Sequence, residues 1–206
     1  MTMMTRRMVG ASAFALLFAG SMVVAQAPET VRVRGTVESV DGQMLTVKTR
    51  DGATLKMKPA DNVLVLAVVK APLTDVKQGG FIGVTGMPQP DGSQKAVEIH
   101  IFPEAMRGTG EGFRPWDLMP SSTMTNANVD SEVASVDGKT LVLKYKDGEQ
   151  KIIVPADVVV VTYVPATVAD LKPGEKIFVA AAKKLPDGTL EAPRITVSRN
   201  GVNPPM

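Results

Sequence analysis

Residues 31–57 read VRVRGTVESVDGQMLTVKTRDGATLKM, and this stretch decides the fold class. Apolar and polar residues alternate from Val31 to Val40, which is the period of two that a strand with one buried face shows. Asp-Gly pairs at residues 41–42 and 51–52 interrupt the alternation, and such pairs are strong signals for tight turns between strands. The stretch therefore predicts consecutive antiparallel strands joined by short turns.

The same pattern recurs 96 residues later in the chain. The matching segments are SVDG at 39–42 and 135–138, PAD at 59–61 and 155–157, and PDG at 90–92 and 186–188. Identical turns in identical order indicate an internal duplication. Each half also has a continuous apolar run, at residues 63–69 and 158–164, followed by a short Asp-containing segment that resembles one helical turn. The runs predict strands that are buried on both faces.

Five or six short strands in each half favour a small closed barrel of the OB or SH3-like kind, since an open sheet would expose its edges. We therefore predict an all-β chain with two tandem homologous small β-barrels after an N-terminal signal peptide. The expected boundaries are 1–25 for the signal peptide, 26–103 for the first barrel, 104–128 for a connector, and 129–206 for the second barrel with a short C-terminal tail.

The first 25 residues have the layout of a secretory signal peptide. Arg6 and Arg7 precede an apolar run that ends in small residues. Cleavage is expected after Ala25, with Ala27 as the alternative. A retained membrane anchor is disfavoured because the run of about 17 residues is short for a spanning helix, and general secretion is favoured over twin-arginine export. The protein is expected to be periplasmic or secreted, touching the membrane only through the uncleaved signal peptide.

The composition excludes several classes of function. The chain has no Cys and one His, so a thiol nucleophile and a multi-histidine metal centre within one chain are excluded. After loss of residues 1–25 the chain has 21 basic and 21 acidic residues, because that segment holds two of the 23 basic ones and none of the acidic ones. A net charge of zero argues against a nucleic-acid partner. No nucleophile and base stand at a recognisable spacing, so we predict that the protein is not an enzyme and needs no cofactor.

The order of turns and strands also resembles a known family. The pattern is GxVxSVDG at 35–42, LTV at 45–47, DxKxG at 75–79, and an Asp-Gly turn followed by a last strand at 91–101. It is similar to an exported bacterial β-barrel family catalogued as a domain of unknown function, and it implies tandem OB-like domains. Some relatives carry an automated label of metal-transport permease, but a permease needs several membrane helices and none is expected in the exported chain.

The connector, residues 104–128, has no counterpart in either half and contains the only Trp of the chain. A plain linker would not need Phe113 and Trp116, so we predict an ordered loop packed on the barrels. The candidate binding residues are Arg107, Glu111, Phe113, Arg114, Trp116 and Asp117. The favoured function is a non-enzymatic binding or scaffold protein whose surface is formed by both barrels and the connector. The expected partner is an envelope protein or glycan, and the sequence carries no prediction of the oligomeric state.

Two alternatives stay open. The first is a periplasmic metal-handling protein, since thioether and imidazole ligands together favour Cu(I). Its candidate ligands are His100, Met106, Met119 and Met124, which resemble in residue type the small periplasmic copper chaperones of OB fold. Against it, methionines commonly fill irregular gaps, and His100 lies opposite Ile99 and Ile101 on its strand, which predicts a surface position. The second alternative is a hydrolase that uses the carboxylates of Glu104, Glu111 or Asp117.

Overall fold

A computed structural model describes residues 29–135 and 138–204, most of which form twelve β-strands. They are β1 (Thr30–Asp41), β2 (Met44–Thr49), β3 (Thr54–Lys70), β4 (Phe81–Pro88), β5 (Gln94–Ile101), β6 (Gly112–Pro115), β7 (Thr123–Ser135), β8 (Gly138–Tyr145), β9 (Gly148–Pro155), β10 (Val159–Pro165), β11 (Lys176–Lys184) and β12 (Leu190–Val197). Short 3-10 turns lie at Leu73–Asp75, Glu104–Met106 and Val168–Asp170. The all-β prediction is confirmed, and the signal peptide at 1–25 lies outside the described residues.

Backbone hydrogen bonds close the strands into barrel-like circuits. In the first circuit the order is β1, β2, β3, β12 and β11, and β11 pairs again with β1. In the second circuit the order is β4, β5, β9, β8 and β7, and β7 pairs again with β4. Each circuit therefore takes three consecutive strands from one half of the chain and a hairpin from the other half. The strand pairing does not follow the boundaries expected at 26–103 and 129–206.

Strands β3 and β10 join the two circuits. Residues 57–67 of β3 pair in parallel with β12, and residues 66–70 pair antiparallel with β10. Strand β10 in turn pairs in parallel with β5. The two apolar runs that predicted fully buried strands form this junction, and in the first run Val65 to Val68 are buried. The described residues include no helix that is long and apolar enough to span a membrane.

Each circuit encloses an apolar core. The first core includes Val33, Val37, Leu45, Val47, Met57, Ile177, Val179 and Ile195, and the second includes Ile82, Ile99, Leu141, Leu143, Ile152 and Val154. Because side chains alternate along a strand, Arg32 and Arg34 lie on the outer face of β1 when Val33 points inward. By the same rule His100 lies on the outer face of β5, opposite Ile99. These outer faces supply the candidate site.

Candidate functional site

A cavity of about 400 Å³ lies between the two circuits and the connector. The first circuit contributes lining residues from β1, β11 and β12, and the second contributes them from β5 and β7. Strand β10 and the connector complete the wall. The connector is held in place by β6, which pairs with β7 from Gly112 to Pro115. The cavity thus depends on both halves of the chain and on the segment between them.

Aromatic side chains dominate the apolar part of the wall. Of the seven aromatic residues in the described part of the chain, four line the cavity, namely Phe102, Trp116, Tyr163 and Phe178. The rings of Phe102 and Tyr163 are stacked, with centroids 5.5 Å apart, and Trp116 meets Phe178 edge to face at 6.2 Å. Burial raises the pKa of the Tyr163 hydroxyl. Paired rings of this kind give a rigid apolar surface.

Arginine side chains surround Trp116. The guanidinium carbon of Arg32 lies 4.2 Å from the centroid of the Trp116 ring, and that of Arg114 lies 5.7 Å from it. Arg34 lies 5.1 Å from the same centroid and 4.5 Å from that of Phe178. Guanidinium groups at these distances are attracted by the electron-rich faces of aromatic rings. The single Trp of the chain is therefore the centre of a cationic cluster.

Asp117 balances part of this positive charge. Its Oδ1 lies 3.0 Å from Nη1 of Arg32 and 3.0 Å from Nη2 of Arg34, and its backbone carbonyl accepts a hydrogen bond from Arg50. Burial lowers the pKa of Arg34 to about 10, although the charge of Asp117 opposes the shift. Burial acts to raise the pKa of Asp117, but the hydrogen bond from Arg32 and the charge of Arg34 hold it below its ordinary value. These contacts fasten the connector to β1.

Two arginines of the cavity wall differ from Arg32 in their pairing. Among the described residues, neither Arg114 nor Arg194 forms a salt bridge. Within the described part of the chain, Arg114 donates only to the backbone carbonyl of Gly110, at 2.6 Å. Burial, and then the charge of Arg32, lower the pKa of Arg114. Since three arginines face one glutamate, Glu111, in the lining, the cavity has a surplus of positive charge.

Several buried polar atoms around the cavity lack a hydrogen-bond partner within the described chain. They are Nε2 of His100, Nε1 of Trp116 and Oδ1 of Asn126. Nε2 of His100 is 3.2 Å from Oε1 of Glu98, but neither atom forms a hydrogen bond because the pair is not aligned for one. An unsatisfied buried polar atom costs about 1–3 kcal/mol, and most buried polar atoms in folded proteins have a partner.

The surface position expected for His100 is wrong, because its side chain is only 4% exposed. The alternation along β5 correctly puts it on the face opposite Ile99. That face is covered, since it lines the cavity together with connector residues such as Thr109 and Gly110.

The structure brings together half of the six predicted binding residues. Glu111, Arg114 and Trp116 line the cavity, and Asp117 lies next to it through its contact with Arg32. Arg107 points elsewhere: it pairs with Glu104 and donates to the carbonyl of Gly79 at 3.0 Å. Phe113 is 42% exposed and is not part of the wall.

The candidate metal ligands are also divided. His100, Met106 and Met124 line the same cavity, whereas Met119 is 37% exposed and lies outside the wall. Within residues 29–135 and 138–204, the structure shows no group of three or more His, Asp or Glu residues arranged to hold a metal ion. The copper hypothesis therefore keeps one imidazole and two thioethers at one place, and it stays a prediction.

The three candidate carboxylates of the hydrolase hypothesis have separate partners. Glu104 pairs with Arg107, and Glu111 accepts a hydrogen bond from the backbone N–H of Lys146 at 3.1 Å. Asp117 is occupied by the arginines of β1, as described above. This arrangement is typical of charges that hold a loop in place.

Sequence reasoning did not identify the strand residues of the wall. Arg32, Phe178 and Arg194 belong to strands that the alternating patterns predict, and Tyr163 belongs to the continuous apolar run at residues 158–164. The available signal was the pair Arg32 and Arg34 on one face of β1, near the aromatic connector. That signal does not reveal which strands from the other half of the chain lie beside β1.

Comparison with known proteins adds no assignment for this arrangement. No protein-family model matches the chain. Neither the curated proteins nor the solved structures gave a match to it.

Proposed function

We propose that the protein is an exported, non-enzymatic binding protein and that the cavity between the two circuits holds its ligand. One observation supports this most strongly: four aromatic residues and three arginines converge on a single cavity of about 400 Å³. Pockets for small ligands are typically about 300–1,000 Å³, largely apolar, with a few polar groups that orient the ligand. The cavity has both properties.

The construction of the wall also favours binding. Trp116 is packed against Phe178 and three guanidinium groups, and the connector is fastened through Asp117. Side chains held in this way lose little freedom when a ligand arrives, which improves affinity. A connector that served only as a spacer would need none of these contacts.

The proposal includes the finer sequence predictions. The circuits are taken as two OB-like barrels that arose by duplication and exchange their last hairpins, in keeping with five strands in each closed circuit. Residues 1–25 direct export to the periplasm or the cell exterior. An envelope protein or glycan is the further partner proposed at the outer surface, whereas the size of the cavity favours a small ligand at this site.

The single Trp makes the test direct, because Trp116 lines the cavity and is the only indole in the chain. The purified protein is titrated with a set of small neutral, anionic and cationic compounds while Trp fluorescence is recorded. We expect a saturable change with at least one compound. Phe178→Ala should weaken that binding, whereas Phe113→Ala, on the exposed side of the connector, should leave it unchanged. Failure of every compound to change the emission would contradict the proposal.

Cu(I) binding is the second candidate, favoured by the location of His100, Met106 and Met124 on one cavity. Native mass spectra recorded with Cu(I) test it. A one-to-one adduct that is lost in Met106→Leu/Met124→Leu but kept in Met119→Leu would support it. An adduct that survives the double substitution would place the metal elsewhere.

A further inference from the structure

The volume and the aromatic wall of the cavity favour a small ligand. At about 400 Å³, the cavity is near the lower end of the range for ligand pockets. The wall holds two ring pairs, Phe102 with Tyr163 and Trp116 with Phe178, and aromatic rings attract further rings through offset-stacked or edge-to-face contacts. These ring pairs favour a ligand with one or two aromatic rings.

The charges of the cavity wall favour a ligand that carries an anionic group. Arg32 and Arg114 approach the same Trp116 ring, and two like charges this close repel each other. Arg32 has Asp117 as a partner, whereas Arg114 and Arg194 have no carboxylate among the described residues. The one acidic residue of the lining, Glu111, is exposed and accepts the backbone N–H of Lys146. A ligand anion next to Arg114 would remove the repulsion.

We infer that the cavity binds a small aromatic carboxylate, with its ring against the aromatic walls and its carboxylate on Arg114 and a neighbouring arginine. A guanidinium group matches a carboxylate with two parallel hydrogen bonds, which gives both affinity and orientation. The inference rests on the proposed function, because it specifies the ligand class of the same cavity.

The test compares three probes that separate the ring from the charge. Benzoate has both, benzamide is its neutral analogue, and acetate has the carboxylate without the ring. Trp fluorescence and calorimetric titration should show saturable binding of benzoate. Benzamide should bind about tenfold more weakly or worse, because it lacks the charge-assisted hydrogen bonds, and acetate should show no measurable binding. Added salt should also weaken benzoate binding, because Arg194 of the wall is exposed to solvent.

Arginine variants test which side chains bind the carboxylate of benzoate. Arg114→Met should weaken benzoate binding about tenfold or more and should affect the binding of uncharged benzamide much less. Arg107→Met is the matched control, since Arg107 belongs to the same connector but does not line the cavity, and it should bind benzoate like the original protein. Arg194→Met provides a second variant on an exposed strand residue if Arg114→Met does not fold, as judged by thermal unfolding.

The outcomes separate this inference from the proposed function. Benzamide binding as tightly as benzoate, or acetate binding as tightly as benzoate, would overturn the aromatic-carboxylate assignment. The assignment is also overturned if benzoate does not bind while another compound of the broader set does, and the proposed function would then stand. If no compound of either set binds, both fail.

Discussion

Replacing Asp117 with asparagine is expected to destabilise the folded protein by about 2 kcal/mol. The carboxylate of Asp117 is the only acidic group that the described structure places in contact with Arg34. The side chain of Arg34 is 4% exposed, so its charge cannot be solvated by water in place of the lost partner. The substitution keeps the size of the side chain and removes only the charge.

The magnitude follows from the exposure of the two partners. Removing one partner of a fully buried ion pair costs about 3–5 kcal/mol, whereas an exposed pair contributes less than about 1 kcal/mol. Asp117 is 47% exposed and Arg34 is almost fully buried, so a value between these limits is expected. For a chain of this size, 2 kcal/mol corresponds to a fall in Tm of about 4–8 °C.

Urea unfolding at several pH values tests both the size and the origin of the effect. The pKa of Asp117 lies below its ordinary value of 3.8 in the folded protein. The carboxylate therefore stabilises the fold fully above that ordinary value, and the stabilisation is lost as the pH falls through the lowered pKa. The difference between the original protein and Asp117→Asn should be constant near neutral pH and should shrink in acid.

A matched control is Glu104→Gln, which removes the exposed partner of Arg107 in the same connector and should have little effect on stability. The reasoning is refuted if Asp117→Asn unfolds at the same urea concentration as the original protein. It is also refuted if the difference persists unchanged in acid, since the lost energy would then not come from the carboxylate charge.

Three further predictions concern the walls and the cores. Gly83→Ala would place a methyl group 2.6 Å from Oδ1 of Asn126. Thermal unfolding should therefore show that the free energy of unfolding falls by about 1–3 kcal/mol. An unchanged Tm would mean that the wall of the cavity is not closely packed. Ile152→Ala removes a buried side chain from the second core and should cost about 2–5 kcal/mol in urea unfolding, whereas a loss below 1 kcal/mol would argue against that core. Burial raises the pKa of Tyr163, so this tyrosine should ionise at a higher pH than free tyrosine. An alkaline absorbance titration of the protein and of Tyr163→Phe checks this by difference. Ionisation of Tyr163 at the same pH as free tyrosine would contradict its burial.

Local patterns predicted the strands but not their partners. The alternation from Val31 to Val40 and the Asp-Gly turns depend on neighbouring residues, and the structure confirms strands and a 3-10 turn at the expected places. The hairpins β4–β5 and β11–β12 have similar alternating patterns, so either could close either circuit. A choice between equivalent strands depends on the path of the whole chain, which a local pattern does not contain.

The candidate site was predicted in part for the same reason. The unusual composition of the connector drew attention to Trp116 and Arg114, and both line the cavity. The alternation along β5 gave the face on which His100 lies, but not the connector that covers this face. Met119 was grouped with Met106 because both lie in the connector, yet only Met106 reaches the wall.

The central claim is that the cavity between the circuits is the ligand site, and NMR mapping tests it most directly. The amide and indole N–H signals are recorded with and without the compound that changes Trp116 fluorescence most. The account predicts the largest shifts for the Trp116 indole N–H and for lining residues from both circuits, such as Asn126 and Thr196. Shifts confined to residues that do not line the cavity, with the Trp116 indole signal unmoved, would contradict it.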